Sequence, residues 1–159
     1  TTRLRIGQQL DALAGGERGA LLVVDVDCFK DVNDTHGHLV GDLVLADIAR
    51  ILRENFRIGD VVGRLGGDEF MVYLDRVGST DVVLGKCDRL RRAVERHEYP
   101  GTDCRVTISV GVVLAHAGDT FDDLYGRADE ALYAAKRDGR NRCGLADGAL
   151  RSPKAAPAP

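Results

Sequence analysis

Two adjacent glycines separate two short apolar segments in the middle of the chain. Residues 61–65 and 69–74 are rich in apolar side chains, and Gly66 and Gly67 lie between them. Neighbouring glycines supply the positive φ angles that a tight turn between antiparallel strands requires. The pattern therefore predicts a β-hairpin, and a hairpin within the sheet excludes a doubly wound sheet made only of parallel strands.

Helical and extended segments alternate along the rest of the chain. Apolar residues at three- and four-residue steps, or a helix-capping pattern, predict helices over residues 4–13, 39–56, 80–97 and 120–139. Continuous or alternating apolar residues predict further strands over residues 20–26, 104–114 and 142–145. Gly59 is expected to close the second helix. We therefore expect an α/β (α+β) fold with a mixed, partly antiparallel central sheet flanked by helices.

Length and composition indicate one folded domain with a short tail. The chain has 159 residues, and three of its four prolines lie at positions 153, 157 and 159. A Pro- and Ala-rich end of this kind is typical of disordered segments. We expect a domain over residues 1–150 and a disordered tail over residues 151–159.

Charge and hydropathy exclude several functional classes. The net charge of −3 disfavours a nonspecific nucleic-acid binder, which needs a basic surface. The longest apolar run, residues 20–24, is too short to cross a bilayer, so we expect no membrane contact by this segment.

The four cysteines form no CxxC pair, and His36 and His38 lack further ligands at metal-binding spacing. These features favour reduced thiols and a cytoplasmic location. Because the chain does not begin with Met, we expect it to be part of a longer, even membrane-anchored, protein.

Acidic residues lie where two predicted strands end. Asp25 and Asp27 end the strand over residues 20–26, and Asp68 and Glu69 lie at the hairpin turn. If the two strands are neighbours, Asp25 and Asp68 converge, and converging carboxylates repel unless a cation neutralises them. Hard oxygen ligands beside a glycine turn that a phosphate can approach suit Mg²⁺ or Mn²⁺. The alternative is that each acid is merely solvated at a strand end.

The hairpin segment resembles a known signature. Residues 64–70 read Arg-Leu-Gly-Gly-Asp-Glu-Phe and resemble the motif of the GGDEF family of diguanylate cyclases. Residues 25–34, 36–42 and 128–141 resemble further motifs of that family, in the same order along the chain. The resemblance covers about residues 3–145 and implies a palm fold like that of nucleotidyl cyclases. The family's usual Leu-Thr-Gly-Leu-type segment lies upstream of the first residue here, so we expect an upstream sensor or regulatory domain in the full-length protein.

The resemblance implies an enzyme. Members of the family condense two GTP molecules into cyclic di-GMP and two pyrophosphates, with one GTP held by each subunit of a homodimer. Asp25, Asp68 and the Val26 carbonyl match positions that hold Mg²⁺ or Mn²⁺. Glu69 matches a residue that assists the metal or takes up the proton. The alternatives are a non-catalytic receptor for GTP or cyclic di-GMP, and a structural interaction domain; the intact signature over residues 66–70 favours the enzyme.

The resemblance also assigns the GTP contacts. Asn33 and Asp42 match positions that recognise guanine, whose N1–H and amino group can donate to a carboxylate. The remaining matches, which contact the phosphates or line the site, are Phe29, Lys30, His38, Gly66, Gly67, Lys136 and Arg140. Three of these residues also fit a purely local role in helix stability. Asp42 lies near a predicted helix N-terminus, where acids are favoured, and Lys136 and Arg140 flank a helix C-terminus, where cations are favoured.

A product-binding site is implied just upstream of the signature. Arg57-Ile-Gly-Asp60 resembles the family's RxxD inhibitory site, in which cyclic di-GMP binds and lowers the rate. Arginine can stack on or fork onto guanine, and Asp60 can accept hydrogen bonds from its N–H edge. Arg89, in a basic stretch of the helix over residues 80–97, is a candidate for a second arginine of that site. The alternatives are a charged helix end and a solvated basic helix face.

Overall fold

The computed structural model describes residues 1–103 and 105–146. The helices are α1 (Thr2–Asp11), α2 (Phe29–His36), α3 (His38–Asn55), α4 (Thr80–Arg96) and α5 (Phe121–Arg137). The strands are β1 (Arg18–Val26), β2 (Val61–Gly66), β3 (Glu69–Leu74), β4 (Ile108–His116) and β5 (Cys143–Leu145). These strands form a five-stranded sheet in the order β2-β3-β1-β4-β5.

The sheet is mixed, and this confirms the predicted fold class. β1 pairs antiparallel with β3 and with β4, β2 pairs antiparallel with β3, and β4 pairs parallel with β5. The hairpin places β2 at one edge of the sheet, and β1 lies at the centre. Because β1 runs antiparallel to β3, the end of β1 lies beside the start of β3, where the hairpin turn is.

Both faces of the sheet are covered by helices. Successive residues of a strand point to opposite faces, and β1 shows this alternation. Leu22 and Val24 pack with residues of α3 and α4 in one cluster, whereas Leu21 and Val23 pack with residues of α1 and α5 in the other. Burial on both sides explains why the central strand is a continuous apolar run.

One helix is absent from the sequence expectations. α2 is only eight residues long and buries Val32, so its apolar periodicity is too short to be recognised. It is held by close packing on α3, because a Cβ at Gly41 would overlap the Asn33 side chain. Tertiary contact therefore stabilises a helix that its own residues do not predict.

Several element boundaries also differ from the prediction, among them the end of α3 and the start of β4. α3 ends at Asn55, and the next residue, Phe56, is already extended. Gly59 therefore does not close the helix but lies within a turn in which the Asp60 N–H donates to the Arg57 carbonyl at 3.0 Å. β4 begins at Ile108, after an irregular segment over residues 105–107.

Some predictions fall on residues outside the described part of the chain. These are the domain end near residue 150, the tail over residues 151–159, and Cys104 at the predicted start of a strand. Cys28, Cys87 and Cys143 are free thiols. Among the described helices, none combines the length with the apolar character that a membrane span needs.

Candidate active site

The end of β1 and the hairpin turn bring acidic side chains together. Asp25 on β1 lies opposite Glu69 on β3 in the antiparallel register. The Val26 N–H donates to the Asp68 carbonyl oxygen at 3.1 Å, which closes the end of β1 onto the turn. From α5, the Lys136 ammonium donates to Asp25 Oδ2. The structure therefore brings Asp25, Asp68 and Glu69 to one place, which we call the acidic centre.

The surroundings of Asp25 disfavour its charge. Its Oδ1 is buried and has no hydrogen-bond partner among the described residues. Burial raises the pKa of Asp25 to about 6; the hydrogen bond from Lys136 opposes this, and the nearby Asp68 carboxylate acts in the same direction as burial. Burial and the second carboxylate therefore outweigh the effect of the one ammonium beside Asp25.

The donor set fits a hard divalent cation that binds together with phosphates. Within residues 1–103 and 105–146, no three His, Cys, Asp or Glu side chains form a cluster that would hold a metal by itself. Mg²⁺ is usually held by one or two carboxylates, with waters and substrate phosphates as its other ligands. The unpartnered Asp25 Oδ1, beside Asp68, is a carboxylate oxygen of this kind. A cation at the acidic centre would thus take waters or phosphate oxygens as its remaining ligands.

The hairpin turn has an open outer side. Gly66 and Gly67 have φ angles of +151° and +53°, which favour glycine. A Cβ at either position would meet nothing within 4 Å, so the backbone conformation, rather than lack of space, explains the two glycines. The Arg64 guanidinium holds the turn by donating from Nε to the Gly67 carbonyl at 2.9 Å. The turn thus keeps its shape while a phosphate can still approach it.

Glu69 has a partner that the sequence patterns miss. The Tyr125 hydroxyl of α5 donates to Glu69 Oε1 at 2.9 Å. Burial raises the pKa of Tyr125 to about 12, and the contact with Glu69 contributes to that rise, so the phenol stays a donor at neutral pH. The Phe121 ring stacks on the Tyr125 ring with their centroids 6.0 Å apart. A tyrosine beside the apolar stripe of α5 is the one sequence signal for this contact.

The start of α2 carries three of the predicted GTP contacts. Cys28 has a φ of +54°, and its side chain makes no capping hydrogen bond to the first turn of α2, which contains Phe29 and Lys30. Uncapped N–H groups at a helix N-terminus attract phosphate. Asn33 Oδ1 is buried beside Gly41 and has no hydrogen-bond partner in the described part of the chain. A donor from a nucleotide base would satisfy this oxygen.

The start of α3 carries two more of the predicted GTP contacts. His38 and Asp42 are exposed. Asp42 lines a cleft of about 390 Å³ between α3 and the hairpin, together with Arg64 and Phe70. A carboxylate at the mouth of a part-apolar cleft suits a flat base with N–H donors on one edge.

The two cations predicted to bind phosphate lie at the end of α5. Lys136 is the last-turn residue that pairs with Asp25. Arg140 follows after the helix has ended and is exposed. Among residues 1–103 and 105–146, the Arg140 side chain has no ion pair or hydrogen bond. One cation is therefore already at the acidic centre, and the other has no partner in this part of the chain.

Asp27 is held in the protein interior and does not belong to the acidic centre. Its buried carboxylate accepts hydrogen bonds from Thr107 Oγ1 at 2.8 Å, Ser109 Oγ at 2.7 Å and the Asn141 N–H at 3.0 Å. These donors satisfy the carboxylate without a metal. Asp27 therefore ties the end of β1 to β4 and to the segment after α5.

The residues of the predicted inhibitory site have different environments. Arg57 exposes 66% of its side chain, whereas Asp60 exposes 1%. Asp60 Oδ2 accepts from the Arg57 N–H at 3.0 Å, and Asp60 Oδ1 accepts from the Asp75 N–H at 3.2 Å. A pairing of Asp60 with guanine thus requires the turn to open and expose the buried carboxylate. Arg89 is exposed on α4, and no hydrogen bond or ion pair joins it to Arg57 or Asp60 within the described residues.

Known proteins are similar to this chain both in sequence and in architecture. Residues 2–142 match the profile of the family described as "Diguanylate cyclase, GGDEF domain". This chain belongs to the GGDEF-domain family. A relative named diguanylate cyclase DgcM, from Escherichia coli (strain K12), is 41% identical over 134 residues, which are 84% of this chain and 32% of that protein.

Solved structures show the same fold as this GGDEF domain. The GGDEF domain of YfiN (or TpbB) from Pseudomonas aeruginosa has a TM-score of 0.84 at 36% identity, covering 91% of this chain and 92% of that one. The GGDEF domain of DgcB from Caulobacter crescentus, solved in complex with c-di-GMP, has a TM-score of 0.80 at 32% identity, covering 91% and 88%. The family resemblance inferred from the motifs is thereby confirmed. The chain spans about a third of the length of the curated relatives it matches.

Proposed function

We propose that this GGDEF domain is the catalytic domain of a diguanylate cyclase, which condenses two GTP molecules into cyclic di-GMP and releases two pyrophosphates. The observation that carries the proposal is the convergence of Asp25, Asp68 and Glu69 beside the Lys136 ammonium. Carboxylates, a cation and a turn that a phosphate can approach are the groups that nucleotidyl transfer needs. The similarity to the relative named diguanylate cyclase DgcM supports the same activity.

Two subunits act together in this reaction. Each subunit of a homodimer presents one GTP, and the 3′-oxygen of each GTP attacks the α-phosphorus of the other. A bond forms between the 3′-oxygen and the α-phosphorus, and the bond from that phosphorus to the bridging oxygen breaks. Pyrophosphate leaves, and the 3′-hydroxyl gives up its proton.

The acidic centre provides the cation site and the proton acceptor. Asp25, Asp68 and the Val26 carbonyl would hold Mg²⁺ or Mn²⁺, which would supply charge neutralisation and lower the pKa of the attacking hydroxyl. One Glu69 oxygen is engaged by Tyr125, so the other is available to take up the proton or to assist the metal. Lys136, which pairs with Asp25, would contact the phosphates of GTP.

The nucleotide is held along α2, α3 and the end of α5. Asn33 and Asp42 accept the N–H donors of guanine, which adenine does not present in the same arrangement. The residues that hold or surround the triphosphate are Phe29 and Lys30 through their N–H groups, His38, Gly66, Gly67, Lys136 and Arg140. The uncapped first turn of α2 and the Arg140 side chain, which is unpartnered within the described residues, support this placement.

Product feedback is the regulatory part of the proposal. Cyclic di-GMP binds at Arg57 and Asp60, with Arg89 as a second cation, and lowers the rate without occupying the GTP site. The exposed Arg57 side chain supports a direct contact, and similarity to a GGDEF domain solved with c-di-GMP supports binding of the product. We further propose that the domain works in the cytoplasm, where GTP is available, under an upstream sensor or regulatory domain.

The decisive experiment is GTP turnover with Mg²⁺ at high protein concentration, with cyclic di-GMP quantified by chromatography. We expect wild type to form the product, and a chelator to abolish it. Asp25→Asn and Asp68→Asn should be inactive while keeping the wild-type circular dichroism spectrum. Glu69→Gln should lose about 10²–10⁴-fold if Glu69 accepts the proton.

A matched control is Asp81→Ser, which removes an exposed carboxylate from the first turn of α4. This variant should turn over like wild type. Normal turnover by folded Asp25→Asn would contradict the assignment of the acidic centre. Tight binding of GTP or cyclic di-GMP by wild type without turnover would favour the receptor function instead.

A further inference from the structure

The segment after α5 begins with a well-formed helix end. The Arg140 N–H donates to the Ala135 carbonyl at 3.0 Å, and the Gly139 N–H donates to the Lys136 carbonyl at 3.4 Å. Gly139 has a φ of +127°. These two bonds and the positive φ form the Schellman motif, in which glycine is favoured. We call residues 139–142, which connect α5 to β5, the α5–β5 loop.

Two residues of the α5–β5 loop adopt a conformation that their side chains disfavour. Arg140 and Asn141 have φ angles of +62° and +47°. Left-handed backbone is uncommon outside glycine, although asparagine tolerates it better than most residues. Two such residues in succession persist only when their surroundings hold them. Specific contacts must therefore hold this pair.

Asn141 supplies three of those contacts, and the Arg140 carbonyl also accepts from Arg142 Nε at 3.1 Å. Its backbone N–H donates to Asp27 Oδ2 at 3.0 Å. Its side-chain Nδ2 donates to Glu95 Oε2 at 3.0 Å, and its Oδ1 accepts from Arg91 Nη1 at 3.0 Å. Both partners lie on α4, where they also pair with each other at 2.7 Å. Because Arg91 can only donate and ionised Glu95 can only accept, the amide is fixed in one orientation.

The side chain of the neighbouring Arg140 has no such contacts. Within the described ranges 1–103 and 105–146, the Arg140 guanidinium has no ion pair or hydrogen bond, and its position depends on the backbone of the loop. Lys136, four residues earlier, reaches Asp25 in the acidic centre. Where the Arg140 side chain lies relative to that centre is therefore set by the left-handed pair, and hence by Asn141.

We propose that Asn141 is a positioning residue for the triphosphate of the substrate. By joining Asp27 at the end of β1 to Arg91 and Glu95 on α4, it holds the backbone that delivers the Arg140 guanidinium to the phosphates. Asn141 does not touch the substrate, and its effect passes through Arg140. This inference rests on the proposed function, because the ligand is the triphosphate of GTP.

The test is a double-mutant cycle read by calorimetry with Mg²⁺. The probe is α,β-methylene GTP, which keeps the triphosphate but resists cleavage at the reactive bond, and GMP serves as the probe for the base. Asn141→Ala should weaken binding of the analogue by about tenfold, the worth of one held contact to a charged group, and should leave GMP affinity unchanged. Arg140→Ala should weaken binding of the analogue to a similar extent. In the Arg140→Ala background, Asn141→Ala should change affinity less than about twofold, because the contact through which it acts is gone.

Asn141→Gly provides a second variant if Asn141→Ala folds poorly. Glycine adopts the positive φ without strain but lacks the amide, so it isolates the side-chain contacts. The inference would be overturned if Asn141→Ala weakened binding of the analogue as strongly in the Arg140→Ala background as in wild type. An equal weakening of GMP binding, or no weakening of analogue binding by either Asn141 variant, would also overturn it. Wild type that binds the analogue but makes no cyclic di-GMP contradicts the proposed function alone, whereas wild type that does not bind it contradicts both.

Discussion

At the scale of single residues, Glu69 shows how a side chain of α5 can fix the orientation of a carboxylate at the acidic centre. One of its oxygens accepts from the Tyr125 hydroxyl at 2.9 Å, and Tyr125 is stacked against Phe121. A carboxylate held by one donor keeps a defined orientation, and its second oxygen remains free for chemistry. We therefore expect Tyr125 to position Glu69.

Tyr125→Phe should lower kcat by about tenfold with little change in KM, because a hydrogen bond to a charged group is worth about 1.5 kcal/mol or more. Initial rates over a range of GTP concentrations separate the two constants. Tyr133→Phe is the matched control, since Tyr133 lies on the same helix and is 70% exposed. An unchanged kcat in Tyr125→Phe would show that Glu69 is oriented without this contact.

Asp42 carries the residue-scale prediction for the base. Asp42→Ser should reduce the preference for GTP over ATP by about tenfold or more, because the N–H edge of guanine loses its charged acceptor. Competition between the two nucleotides in one turnover assay measures the ratio. Asp81→Ser, which removes an exposed carboxylate from α4, should leave the ratio as in wild type. If Asp42→Ser discriminates as wild type does, the specificity lies elsewhere in the site.

At the scale of elements, the site depends on how closely α5 packs on the sheet. α5 carries Lys136 and Tyr125, so its distance from β1 and β4 sets where both side chains lie. Gly111 on β4 is a point of very close approach between the sheet and this helix. A Cβ there would overlap the Ala128 carbonyl oxygen and lie 2.6 Å from the Leu132 nitrogen. Both atoms are backbone, so neither can move aside without the helix moving.

Gly111→Ala should destabilise the fold by about 3 kcal/mol, since overpacking against backbone forces the helix away from the sheet. Chemical denaturation followed by circular dichroism gives the free energy of unfolding. Gly85→Ala is the matched control on the solvent side of α4, where a Cβ meets nothing within 4 Å. That variant should be stabilised by about 0.5–1 kcal/mol, because alanine is the better helix former. Equal stability of the two variants would mean that α5 has room to shift.

At the scale of the whole molecule, the turn over residues 57–60 connects the long helix α3 to the edge strand β2, which leads into the hairpin turn. Asp60 anchors this turn through the N–H groups of Arg57 and Asp75. A ligand bound at the exposed Arg57 would therefore act on the same hairpin that carries Asp68. Under the proposed product feedback, this connection would link product binding to the acidic centre.

Arg57→Ala should bind cyclic di-GMP about ten- to a hundredfold more weakly and escape product inhibition, because one charge-assisted contact is lost. Its initial rate with GTP should stay close to wild type. Calorimetry with cyclic di-GMP and progress curves of turnover measure the two effects. Arg5→Ala, which removes another exposed arginine, should be inhibited like wild type. Equal inhibition of Arg57→Ala and wild type would show that residues 57–60 form only a charged turn after α3, without a role in product binding.

Features that depend on residues close in the chain were predictable. The hairpin follows from Gly66 and Gly67, whose positive φ angles the structure contains. The start of α5 follows from Thr120, whose Oγ1 accepts from the Asp123 N–H at 3.3 Å. Turn and cap geometry involves residues within a few positions of one another, so the sequence by itself determines it. The motifs also predicted that Asp25 and Asp68 converge. This prediction required only that their two strands be neighbours in the sheet.

Only the tertiary structure decided the long-range partners of these residues. Asp25 and Asp27 have the same chemistry two positions apart, yet Asp25 meets Lys136, 111 positions away, and Asp27 meets the Asn141 N–H, 114 positions away. Helix α2 and the contact of Glu69 with Tyr125 have the same origin. These contacts are set by sheet register and by the burial of whole elements, which outweigh the local preferences of the residues involved. A one-dimensional pattern therefore identified the acidic groups but not which of them, among the described residues, keeps a carboxylate oxygen without a partner.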